Sequence, residues 1–117
     1  MQELFKPPVI ESDPEDYVPQ KSRLFVKAFQ RGKDNKLYDM YYPTVGYTIG
    51  DSIRKGSITM LSASPTLEDA INYNKYNSTK VKPVYCQIES DDFYELVGTN
   101  PEVRLGRYRI LRDLMES

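Results

Sequence analysis

The chain has 117 residues, enough for one domain with a modest core and too few for two. With 16 basic and 17 acidic residues the net charge is −1, which gives no global field for nucleic acid or an anionic membrane. Histidine is absent and cysteine occurs once. That removes the Ser-His-Asp and Cys-His nucleophile schemes, the usual zinc sites and any intrachain disulfide, and leaves acid–base chemistry to carboxylates, Tyr or Lys.

Residues 1 to 20 read as an extended arm. They hold Pro7, Pro8, Pro14 and Pro19, and they set Lys6 against Glu3, Glu11, Asp13, Glu15 and Asp16, so the remaining body, residues 21 to 117, is mildly basic. The arm's apolar residues, Leu4, Phe5, Val9, Ile10, Tyr17 and Val18, are too many for a pure linker, so docking along the body or a partner and disorder are equal alternatives for it.

Leu24–Phe29 has strand character, and the polar turn Arg31-Gly-Lys-Asp-Asn-Lys36 leads into a second strand over Leu37–Tyr42, which makes a hairpin. Val45–Ile49 and Ile58–Leu61 are further short strands. A helix of about three turns follows, with Ser64 as N-cap and Pro65 at the first helical position, where a missing N–H costs nothing. Its apolar stripe is Leu67, Ala70 and Ile71, and it fades into Asn72, Asn74 and Asn77. Val84–Ile88 is the expected central strand, and lone Cys86 within it reads as a small buried hydrophobe in a reducing compartment. The acidic run Glu89–Asp92 comes next, then Phe93–Val97 as a helical turn or a strand. Val103–Leu105 and Tyr108–Leu111 alternate basic and apolar residues at the strand period. The whole is an α+β domain: compact, mainly antiparallel β, with one clear helix.

There is no apolar run long enough for a membrane span or a signal-peptide core, so a soluble, cytoplasmic protein with no membrane partner is expected. The 10 tyrosines suit strand surfaces, interfaces or stacking on ligands.

Arg31-Gly32, Gly50-Asp51, Ser62-Ala63-Ser64 followed by Ala70, and Glu102-Val103-Arg104-Leu105 occur in this order over residues 23 to 112. In that order they resemble the arginine, serine-x-serine and glutamate elements of small ADP-ribosyltransferase-like domains. The resemblance implies an ADP-ribosyltransferase-like α+β fold, NAD as substrate, no metal, and transfer of ADP-ribose to a macromolecular target. It implies that Arg31, with Gly32, meets the NAD diphosphate or ribose, and that Ser62 and Ser64 position the nicotinamide ribose. Tyr47 and Tyr73 would flank the nicotinamide ring, and Glu102, assisted by Ser62, would stabilise the cation that grows at the anomeric carbon. Asn100 stands where protein-arginine modifiers carry Glu or Gln, and Phe29-Gln30-Arg31 replaces the usual Tyr-Arg-Gly, so an arginine acceptor is not implied.

Tyr47-Thr-Ile-Gly50, Ala70-Ile-Asn-Tyr73 and Ile110-Leu-Arg-Asp-Leu114 are also similar to short phage and bacterial domains whose chemistry is not known. Each candidate has a plain structural reading beside the functional one. Arg31 suits a solvated turn, Ser62 a strand end, Ser64 a helix cap, and Tyr47 and Tyr73 half-buried surface. Glu102 suits a strand-start charge paired with Arg104 or Lys82. A degenerate nucleotide-binding relative, or a non-enzymatic interaction protein that inhibits or adapts a host factor through its tyrosines, acidic arm and basic strand, are the alternatives to an enzyme. RNA binding through tyrosine stacking and the stripe Arg104, Arg107, Arg109 and Arg112 is a further one.

Overall fold

The structure, a computed structural model, describes residues 9–10, 22–40, 43–56, 61–76, 82–96, 98 and 101–115. In chain order the elements are β1 (Val9–Ile10), β2 (Arg23–Arg31), β3 (Leu37–Asp39), β4 (Ser52–Arg54), β5 (Leu61–Ala63), α1 (Leu67–Tyr76), β6 (Val84–Leu96) and β7 (Glu102–Asp113). All pairings between strands are antiparallel, in the order β1-β4-β7-β6-β2-β3, with β5 also on β7. This agrees with an α+β reading that is mostly β.

The sheet closes on itself. β5 pairs with β7, and Ser64, the residue immediately after β5, exchanges two backbone hydrogen bonds with Val26 of β2 (2.9 and 2.8 Å). Since β2, β6 and β7 are already neighbours, the ring β2–β6–β7–β5–β2 is complete and encloses an apolar interior. Phe25, Phe29, Leu37, Ile53, Leu61, Cys86, Ile88, Val103, Leu105, Tyr108 and Ile110 fill it, all of them almost fully buried. Each aliphatic or phenylalanine side chain among them contributes about 1.5–3 kcal/mol by leaving water. On the outer face of β2 and β6, α1 packs Leu67, Ala70 and Ile71 against Val26, Ala28 and Tyr85.

The arm contributes to this sheet: Val9 and Ile10 pair with Arg54 and Ile53 and give β4 an edge neighbour. The hairpin of β2 and β3 forms as expected, although β2 runs on through Arg31, which pairs with Leu37 and so ends the strand instead of entering the turn. Asn35 takes the left-handed conformation (φ 68°) that closes the turn, one that Asn tolerates better than most residues. The strand expected over Val45–Ile49 is reduced to a single bridge between Tyr47 and Leu37. Of Ile58–Leu61 only Leu61 lies among the described residues, and the strand found there continues to Ala63.

The acidic stretch Glu89–Asp92 and Phe93–Leu96 prolong β6 and are not a break or a helical turn. Their charges are matched across the sheet by Arg109, opposite Glu89, and Arg107, opposite Asp92. The register shifts between Glu89 and Asp92, and Ser90 Oγ holds this irregular stretch by bonding the Arg107 carbonyl and accepting from the Asp92 N–H. β7 is likewise one strand, with a compensating shift at Gly106. Buried positions there change phase from Val103 and Leu105 to Tyr108 and Ile110. A Cβ at Gly106 would collide with the Asp92 carboxylate, so the close approach of the two strands suits glycine.

The helix start differs from the sequence expectation. Ser64 is occupied in the bridge to β2, and α1 begins at Leu67, so Thr66 is the N-cap: its Oγ1 accepts the Asp69 N–H (3.1 Å) and donates to the Asp69 carboxylate (2.8 Å). This reciprocal arrangement resembles a capping box, displaced two residues beyond Ser64 because a strand residue with both backbone groups in a ladder cannot also turn into a cap. Thr66→Ala is therefore expected to lower stability by about 1 kcal/mol and Thr66→Ser by much less, read as shifts of the urea midpoint.

Cys86 sits fully buried between Ile88 and the Asp113 end of β7, and burial, then the Asp113 carboxylate, push its thiol up to about 12. Thiolate at pH 7 is then rarer than for an ordinary cysteine by roughly three orders of magnitude. A thiol-specific disulfide reagent is expected to label the native protein only as fast as it unfolds, and prompt labelling in buffer would show the strand to be open.

Candidate functional site

Four of the residues singled out in the sequence border one cleft. It is walled by Lys27, Val26 and Ala28 of β2, by Ser62, Ala63 and Ser64, by Ala70, Tyr73 and Asn74 of α1, by Met40 and by Glu102 at the start of β7. Strand pairing explains the convergence: Ser62 is opposite Arg104 and Ala63 opposite Val103, so the next step sets Ser64 level with Glu102. Period-two alternation turns Leu61 and Ala63 into the barrel and Ser62 away from it. The helix then follows within three residues of Ser64 and brings Tyr73 over the same opening. The space inside is about 30 Å³, enough for a water or two.

Glu102 is three-quarters or more buried along its side chain and its carboxylate meets Arg104 at 3.3 Å. Arg104, and not Lys82, is thus its partner. Ser62 offers its carbonyl to Lys27 Nζ at 2.8 Å, and Ser64 is buried with its backbone committed to Val26.

The other candidates lie elsewhere. Arg31, at the end of β2, pairs with Asp113 (3.1 Å) and donates to the Asn35 carbonyl; it lines a separate open groove of about 840 Å³ with Ile49, Lys82, Val84 and Met115. Gly32 lies under the ring of Tyr38, which would collide with any Cβ there, and Tyr38 donates to Asp34. Tyr47 is inside the barrel, 1% exposed, and its hydroxyl is pushed up to about 12 by burial, then by the nearby Asp39 and Asp51 carboxylates. It does not border the cleft wall formed by Tyr73.

Sequence reasoning passed over Lys27 and Asp39. Lys27 is 4% exposed and Asp39 2%, and their charged ends meet at 3.1 Å. The ammonium also lies 5.7 Å from the ring centres of both Phe29 and Tyr108, within reach of an attractive cation–ring contact. A signal was present: Lys27 falls at the period-two position between Phe25 and Phe29, and Asp39 shares its face with Leu37. A charge on the core face of each strand of one hairpin asks for the other. Tyr108, fully enclosed beside them, has its hydroxyl raised well above the usual range by burial, then by Asp39.

The basic stripe on β7 is matched by neighbours. Arg104 meets Glu102, Arg107 meets Asp91 (3.2 Å), Arg109 reaches Glu89 (4.0 Å) and Ser52, and Arg112 donates to Gln87. A nucleic-acid backbone would have to displace these carboxylates. Among the described residues no group of three or more Cys, Asp or Glu side chains is placed to hold a metal ion, and no helix is long and apolar enough to cross a membrane.

No family model, curated protein or solved structure matches this chain.

Removing Lys27 alone strands a buried carboxylate. Lys27→Met is expected to cost about 3–5 kcal/mol, and Lys27→Met with Asp39→Leu to recover most of that loss, because a missing pair is cheaper than half of one. Urea midpoints of the two variants check this, and equal destabilisation by both would mean that the pair is solvated.

Proposed function

We propose that the chain is an NAD-using domain of ADP-ribosyltransferase type, acting on a macromolecular target through the cleft between β2, β5, α1 and Glu102. One observation supports this reading above the rest: Ser62, Ser64, Tyr73 and Glu102, far apart in sequence, border the same opening. In this reading Ser62 and Ser64 orient the nicotinamide ribose. As the bond between the anomeric carbon and the nicotinamide nitrogen breaks, its electron pair leaves with nicotinamide, and the Glu102 carboxylate stabilises the resulting cation until an acceptor nucleophile adds. Arg104 at 3.3 Å orients that carboxylate, a task which needs no histidine. Arg31 has no part in the cleft and is given none in the reaction. A ribose is larger than the space of about 30 Å³, so in this reading the cleft widens as the ligand enters.

A second reading has its own observation. Leu24, Tyr94 and Leu96 are exposed apolar side chains on β2 and the far end of β6, of the kind a protein partner can cover. There the chain is an interaction protein that adapts or inhibits a host factor.

Glu102→Gln separates the two. In the enzyme it keeps NAD affinity while nicotinamide release falls by roughly two orders of magnitude or more, the usual loss of one electrostatic stabiliser. NAD affinity by calorimetry and nicotinamide release in a lysate that supplies the acceptor are the measurements. Wild type that neither binds NAD at millimolar concentration nor releases nicotinamide removes the enzyme reading and leaves the interaction protein.

A further inference from the structure

Neighbouring strands β2 and β6 do not end together. β2 begins at Arg23, opposite Ser90, while β6 runs on to Leu96 with β7 beside it. Beyond Ser90, β6 therefore has a strand on one side only among the described residues. The Asp92 N–H turns back to Ser90 Oγ, which leaves Phe93–Leu96 as an open edge. Every second residue of an antiparallel strand points its N–H and C=O away from a given neighbour. This edge thus presents unpaired backbone donors and acceptors in the row that β2 vacates.

The side chains along it are sorted by face. Phe93 turns inward, its ring centre 4.9 Å from that of Phe25, so alternation sends Tyr94 and Leu96 outward. Both are exposed, as is Leu24, which precedes buried Phe25 on β2. The charges of β6 are nearly balanced: Glu89 is reached by Arg109, Asp91 by Arg107 and Glu95 by Arg23 at 3.0 Å. Asp92 is left over. It is exposed and enters no ion pair among the described residues, because Arg107, level with it, meets Asp91 instead.

We infer that Phe93–Leu96 is a strand-addition site for an extended segment of a protein partner, one that sets apolar side chains against Tyr94, Leu96 and Leu24 and a lysine or arginine beside Asp92. The inference deepens the second reading of the function by naming the partner, and it does not involve the cleft. The same sheet already takes a strand this short at another edge, where Val9 and Ile10 alone pair with β4. A second copy of the chain fits poorly, since antiparallel self-pairing would gather Asp92 and Glu95 of both copies in one short ribbon.

The test titrates the intact, ¹⁵N-labelled protein with a hexapeptide of valine and threonine carrying lysine at both ends. Its glutamate-ended counterpart and a fully N-methylated copy, which keeps the side chains and loses every backbone donor, are the controls. The lysine peptide is expected to shift the amides of Phe93–Leu96 along one saturable curve in the millimolar range, with both controls weaker by roughly tenfold or more. Tyr94→Lys, a change at an exposed position, is expected to weaken binding by a similar factor. No saturable shift, shifts that miss Phe93–Leu96, or equal binding of the glutamate peptide overturns the inference. So do shifts at these amides that grow with protein concentration alone, the mark of a second copy on the edge. An N-methylated peptide that binds as well as the plain one overturns strand addition and leaves the interaction-protein reading standing.

Discussion

An ammonium group sealed inside a β-barrel has to be neutralised and hydrogen-bonded, and the arrangement around Lys27 follows from that need. Its charge is met by Asp39 of β3 and one of its donors by the Ser62 carbonyl of β5, so a single side chain of β2 is tied to both flanking segments. Half of this set would be costly in so dry a place, which is why the two charges and the carbonyl act as one unit. The unit lies beside the bridge between Val26 and Ser64 that completes the ring of strands. Closure of the sheet and the wall of the cleft therefore share the same few residues.

Closure has consequences further along the chain. β7 must serve β6 on one edge and both β4 and β5 on the other, and a flat strand of that length would run its apolar side chains out of the core. The shifts beside Ser90 and Gly106 correct the phase on both partners, keeping Phe93, Leu105, Tyr108 and Ile110 directed at the interior. The same shifts leave Asp91 and Arg107 paired on the outside. Charge pairing across β6 and β7 thus keeps an acidic run inside a strand and leaves the arginines engaged with neighbouring groups.

The cleft is small because α1 is pinned close to β2 through Ala70, the smallest side chain that still covers Val26. Its polar rim comes from strand residues whose backbones are fixed by the ladder and whose side chains point away from the core.

Much of the local structure was legible in the sequence because it rests on short-range physics. The hairpin of β2 and β3, the strand character of Val84–Ile88, the buried Cys86 and a ten-residue helix carrying Leu67, Ala70 and Ile71 on its packed face all follow from periodicity and turn chemistry. Ser62, Ser64, Tyr73 and Glu102 border one cleft, and Arg31 and Tyr47 lie outside it, a grouping set by strand pairing and burial between distant segments. Helix capping moved from Ser64 to Thr66 because Val26, 38 positions earlier in the chain, claims the Ser64 backbone. The acidic run joined β6 because arginines on β7 neutralise it. The sequence by itself determined which faces are apolar and where the chain turns. Only the tertiary structure decided which charges meet, since the cost of burying Lys27 is set by Asp39 and Ser62, partners that no local pattern specifies.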